Sequence, residues 1–179
     1  PDSIDPWVYS APWRQWHHGA AARQALAVIP SDGSVAANTP LVPLLARRAV
    51  LVRFPFATGY LDRSGSSQQV DWIAVDLEQL EQYGVAFRGD WKQLRSARRW
   101  LAAHRDSHRV QAINSGVVVL QRNGIQHPEL EASLDRQLDR PLPADPRRRS
   151  ETKRCPRSEA RPGALAASAC AAAPEDQLG

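Results

Sequence analysis

Apolar residues recur at helical spacing from His17 to Ile29 (Ala21, Ala25, Val28, Ile29), and Pro30 marks the end of that run. Pro30–Gly33, PSDG, reads as a turn in which Gly33 supplies a positive φ if one is needed. Ser34–Ala37 is a short apolar strand. Thr39 reads as an N-cap with Pro40 at the first helical position. Pro43 still falls among the orphan N–H groups, so Pro40–Arg47 is expected to be helical. Ala49–Phe54 follows as a second strand.

Val70–Leu77, VDWIAVDL, is almost continuously apolar between two aspartates, the pattern of a strand covered on both faces of a parallel sheet. Asp90 with Gln93 forms a capping box for a helix from Trp91 to about His104, whose buried stripe is Leu94, Ala97 and Leu101. Arg109–Ile113 and Val117–Gln121 flank Asn114–Gly116, a hairpin signal. The order α-β-α-β-β-α-β-β predicts an α/β class: a small three-layer Rossmann-like domain with a mostly parallel sheet and a C-terminal antiparallel hairpin. The strands around Val35, Val50 and Ile73 should be neighbours, and the hairpin should extend the sheet at an edge.

Composition narrows the class. With 179 residues, 42% hydrophobic and 23% charged, the chain has core for one compact domain. Its longest apolar runs, such as Ala49–Val52 and Gly116–Leu120, fall far short of the roughly 20 residues that cross a bilayer. Asp2 and Asp5 stand where a secretory signal needs basic and then apolar residues. The chain opens at Pro1 and contains no Met, and is read as a piece of a longer product. Three segments are expected: an irregular Trp-rich opening at 1–16, an α/β domain at 17–140, and a disordered basic and Ala-rich tail at 141–179 that lacks aromatic residues. The modest net charge of +4 is unevenly placed: between Arg147 and Arg161 seven basic residues oppose only Glu151 and Glu159 (7 − 2 = +5). Such a run is either a solvated segment or a contact for phosphates or an anionic membrane.

No constellation in the chain carries a reaction. His104 and His108 are four apart, but no HExxH follows and the helix is ending there, where a His is ordinary. His17 and His18 are adjacent and cannot share a helical face. Cys155 and Cys170 lack CxxC spacing; a disulfide between them is allowed in an oxidising compartment but not required. Neither a Gly-rich phosphate loop nor a GxSxG elbow is present. No catalytic residue, metal ligand or cofactor is therefore assigned, and no basic face or binding motif in the folded part points to nucleic acid.

Two residues stand out as ligand-site candidates. Asp76, at the carboxyl end of a parallel strand, lies where α/β folds hold ligands, or else it caps the next helix. Asn38, at the end of the first strand, carries the same two readings. Trp7, Tyr9, Trp13 and Trp16, beside Arg14, suit a membrane interface or an arm packed on the domain.

The blocks ALAVIPSDGSVAAN (Ala25–Asn38), LVPLLARR (Leu41–Arg48), VLVRFP (Val50–Pro55) and DWIAVDL (Asp71–Leu77) resemble, in that order, the predicted bacterial membrane proteins of domain of unknown function 2079. The likeness runs from about Ala25 to Asn123, departs over the polar segment Ala57–Gln69, and does not reach the tail. It implies a soluble extracytoplasmic accessory domain of a polytopic membrane protein, similar in layout to glycosyltransferases that use lipid-linked sugar donors. The catalytic acids of those enzymes lie in loops between early membrane helices, so the resemblance brings no catalytic residue here. The implied partners are membrane helices of the same parent protein, with a lipid surface or glycolipid beside them, and the Trp-rich opening becomes membrane-proximal. The alternative is a non-catalytic binding or interaction module of the envelope.

Overall fold

Every position of strand β5 (Trp72–Asp76) is buried, which is what its unbroken apolar run dictates. The computed structural model describes residues 12–145. Within it β5 is the centre of a five-stranded sheet in the order β2-β1-β5-β7-β6, built from β1 (Val35–Ala37), β2 (Leu51–Arg53), β6 (His108–Asn114) and β7 (Val117–Arg122). β1 runs parallel to both β2 and β5, with Ala36 opposite Val52 and Ile73. β7 is antiparallel to β5 and to β6, so the hairpin forms one side of the sheet, as its sequence predicts. Ser115 and Gly116 turn the hairpin with φ of 44° and 75°, the left-handed pair that matches strand twist.

Alternate residues of these strands feed two cores. Ala36, Ile73, Val75, Val118 and Leu120 face a layer formed by α3 (Leu77–Gly84), α4 (Arg88–Ala103) and α5 (Pro128–Leu138). Val35, Ala37, Trp72, Ala74, Val117 and Val119 face α1 (Pro12–Leu26) and α2 (Val42–Leu45). The result is the expected three-layer α/β sandwich. Gly33 matters through space and not through φ: a Cβ there would sit 3.1 Å from Trp72, whose indole lies across the turn.

Several elements differ from the sequence expectation. α1 starts at Pro12 rather than His17 and ends at Leu26, so the segment Pro12–Trp16, expected to be irregular, is helical. No apolar stripe marks that first part, because it is exposed. The helix expected over Pro40–Arg47 is a 3₁₀ turn, Thr39–Leu41, running into the four-residue α2, and Asn38 rather than Thr39 occupies the N-cap without a side-chain capping bond. α4 begins at Arg88, so Asp90 lies inside its first turn and complements the helix dipole instead of capping. The segment 57–69 forms a separate antiparallel ribbon, β3 (Gly59–Leu61) with β4 (Ser67–Gln69).

The edge strand β6 is tied to the chain that follows β7 by two side-chain bonds. Val110 N–H donates to the Glu131 carboxylate at 3.0 Å, and Gln111, beside a bulge, donates to the Ile125 carbonyl at 2.8 Å. Arg98, buried on α4, donates to the carbonyls of Gln137, Leu138 and Arg140 and so closes the C-terminal end of α5. Trp91 Nε1 donates to the Pro143 carbonyl at 2.8 Å, so the chain stays against α4 two residues past the expected boundary at Pro141.

Candidate functional site

The two aspartates that bracket β5 hold it to β1 at both ends. At the amino end, Ser34 Oγ donates to Asp71 Oδ2 at 2.8 Å and accepts from Asp71 N–H at 2.9 Å. Arg122, at the end of β7, closes the group on Asp71 Oδ1 at 3.0 Å. Burial works against the Asp71 charge, but the bonds from Arg122 and Ser34 prevail and hold its carboxyl below the usual range.

At the carboxyl end the roles are exchanged. Asn38 Oδ1 accepts from the Asp76 N–H at 3.0 Å, and Asn38 Nδ2 donates to the Asp76 carbonyl at 3.3 Å. β1 has ended at Ala37, so the Asn38 amide adds one more rung to the β1–β5 ladder with side-chain atoms. That leaves the Asp76 carboxylate, 1% exposed, to serve two other elements. Oδ1 caps α3 by accepting from Gln79 N–H at 2.9 Å, and Oδ2 meets His18 Nε2 at 2.6 Å. His18 Nδ1 lies 3.8 Å from Glu78. The hairpin tip closes the cluster, since Gly116 O accepts from Leu77 N–H at 2.9 Å.

The structure thus brings Asn38 and Asp76 together, and both readings of Asp76 meet in one place: it sits at the ligand end of the sheet and it caps a helix. Sequence reasoning missed His18. Its partner is distant in sequence, and no local pattern signals that α1 crosses back to that strand end. α1 crosses the carboxyl ends of β5 and β6, with His18 on Asp76 and Gln24 accepting from Asn114 Nδ2 at 2.9 Å. Chemically the cluster fastens three elements, and both oxygens of its buried acid are engaged.

The remaining candidates lie elsewhere. Trp13 and Trp16 are on the first turns of α1, 62% and 76% exposed, while Trp7 and Tyr9 lie outside the described residues, as do Cys155, Cys170 and the basic run Arg147–Arg161. His104 stacks on Trp100, with ring centroids 4.2 Å apart, and His108 meets the same indole edge-on at 4.9 Å. Burial, then the charges of His104 and Arg122, push His108 down to about 4, so at neutral pH it is an uncharged core ring that bonds Ser107 at 2.9 Å. Among the described residues no group of three His, Cys, Asp or Glu side chains is placed to hold a metal ion, and no helix is long and apolar enough to cross a membrane.

A mixed sheet between two helical layers, with a helix crossing the carboxyl ends of β5 and β6, defines an α/β sandwich domain with a clasped strand end. The chain belongs to the DUF2079 family, described as predicted membrane proteins, whose sequence profile matches residues 1–119. That match includes the Trp-rich opening as well as β1, β2, β5 and the hairpin turn. No curated protein and no solved structure matches the chain.

Proposed function

We propose that this sandwich is an extracytoplasmic accessory domain of a polytopic membrane protein, laid out like the glycosyltransferases that use lipid-linked sugar donors, and that it does not itself transfer sugar. The observation that carries the reading is the family match over residues 1–119, which joins the aromatic opening and the sheet in one stretch of a membrane-protein family. The engaged state of Asp76 supports the non-catalytic part. A general acid or base needs an oxygen within reach of the reacting proton, and here one oxygen caps α3 while the other meets His18. Glycolipid or lipid headgroups adjoin the domain in this reading, and membrane helices of the same parent protein are its covalent neighbours.

Two measurements test it. Membrane-impermeant maleimide, applied under reducing conditions to intact spheroplasts expressing the membrane-embedded parent protein, should label Cys155 and Cys170; labelling only after lysis would put the domain on the other side. The isolated chain, incubated with a polyprenyl-phosphate sugar donor, should release no sugar, and measurable transfer or hydrolysis would overturn the accessory role.

A further inference from the structure

The surface of this domain is not evenly furnished, and the topology says which end carries the aromatic groups. α1 buries Ala22, Ala25 and Leu26 on the sheet face and the turn after it buries Ile29, while His18 meets Asp76 at the carboxyl end of β5 and Gln24 accepts from Asn114 at the carboxyl end of β6. α1 therefore lies across that end, and its first turns, in which residues 13–17 are all exposed, carry Trp13, Arg14 and Trp16 there. Trp13 and Trp16 are three apart and share a helical face.

A second aromatic group lies at the same end. β1, β2 and β5 are parallel, with Ala37 opposite both Arg53 and Ala74, so Arg53 ends β2 on the side where Asp76 ends β5. The chain turns there, with Phe56 and Ala57 N–H both donating to the Arg53 carbonyl, and Phe56 emerges 67% exposed. The Arg53 guanidinium lies 5.1 Å from the Phe56 ring centroid. The opposite end of the sheet carries instead the polar group Ser34, Asp71 and Arg122 and the loop residues Asp32 and Asp106.

We propose that the carboxyl end of the sheet is the face that docks on an anionic bilayer surface, with Trp13 and Trp16 as one contact and the Arg53–Phe56 pair as a second. The inference rests on the membrane reading above and adds to it an orientation and a second contact. Indole and phenyl rings beside guanidinium groups suit the headgroup layer, where the ring meets acyl chain and the cation meets phosphate. Two contacts on different elements also fix the tilt of the domain, which the helix stub alone does not do. The fold's ligand end, with the His18–Asp76 cluster, then faces the lipid.

The test uses the full chain with Cys155→Ser and Cys170→Ser, carrying single cysteines labelled with nitrobenzoxadiazole. Phe56→Cys and Ser115→Cys report the carboxyl end, and Asp32→Cys and Asp106→Cys the other. On adding vesicles of phosphatidylcholine with phosphatidylglycerol, positions 56 and 115 should shift to the blue while 32 and 106 stay unchanged. Unlabelled Phe56→Ser should lower vesicle partition roughly tenfold, and Arg53→Gln about fivefold at low salt. Blue shifts at 32 and 106, or at all four positions alike, would overturn the orientation while leaving membrane association intact. Failure of the unlabelled chain to partition would overturn both.

Discussion

Replacing Asn38 by Ala should destabilise the domain far more than replacing its neighbour Thr39, although Thr39 is the residue whose sequence position suggests a cap. Asn38 is fully buried and spends both ends of its amide on the backbone of Asp76, at 3.0 and 3.3 Å. Ala removes both partners and leaves one N–H and one C=O without a bond, with no room for water unless the strand end opens. An unsatisfied buried group costs about 1–3 kcal/mol, the carbonyl less than the N–H because it keeps a second lone pair. The sum is about 3 kcal/mol, a large share of the ~5–15 kcal/mol that stabilises a domain. For a chain of this size that corresponds to a fall in Tm of roughly 10 °C. Thr39 is exposed and makes no capping bond, so Thr39→Ala should change stability by less than about 0.5 kcal/mol. Urea unfolding followed by circular dichroism measures both. A loss below about 1 kcal/mol for Asn38→Ala, or equal losses for the two variants, would refute the idea that the Asn38 amide completes the ladder.

Three further outcomes follow from individual contacts. Folded His108 takes up a proton only near 4, against an ordinary 6.5, so the unfolded chain binds more protons between those values and stability should fall as pH drops from about 6.5 to 4. The loss should approach about 3 kcal/mol and be much smaller in His108→Gln, as urea midpoints across that window would reveal; identical pH profiles would contradict it. Gly116→Ala should cost at least about 2 kcal/mol, because φ is 75° and the new Cβ would lie 2.5 Å from the Glu78 Cβ. Thermal melts of that variant and of Gly65→Ala, where φ is also positive but space is open, separate the clash from the dihedral. Arg98→Ala should free the end of α5, raising amide exchange in 128–138 more than in β5, since three carbonyls lose their common donor.

How much of this was readable beforehand depended on whether the signal was local. The run VDWIAVDL declares a strand buried on both faces without help from the rest of the chain, and AsnSerGly declares its hairpin. The parallel arrangement of β1, β2 and β5 followed from short apolar strands separated by crossover lengths. α3 and α5 carry weaker local signals: α3 begins at Leu77, straight after Asp76 ends β5, and α5 shows only Leu130, Leu134 and Leu138 as its inner stripe. The start of α1 was missed for a different reason: the periodicity that betrays a helix comes from burial, and residues 13–17 bury little. At the site, Asn38 and Asp76 stood out as polar residues at strand ends. Their joint use, and the arrival of His18, depend on tertiary pairing across 38 and 58 positions, which no local pattern encodes. In the block LVPLLARR, likewise, the use of Arg48 is not local: it donates to the carbonyls of Ile29 and Pro30 and so holds the turn after α1.

Vesicle co-sedimentation decides whether the exposed tryptophans of α1 meet a bilayer, as proposed. The full chain and its Trp13→Ser, Trp16→Ser double variant should be compared on phosphatidylcholine vesicles with and without phosphatidylglycerol, at low and high salt. Both positions are exposed and pack on nothing in the core, so the double variant should unfold at the same temperature as the parent. The predicted result is that the parent chain partitions onto the anionic vesicles, more weakly at high salt, and that the double variant binds about tenfold less. Equal binding by the two chains, or no binding by the parent, would rule out the bilayer contact of Trp13 and Trp16.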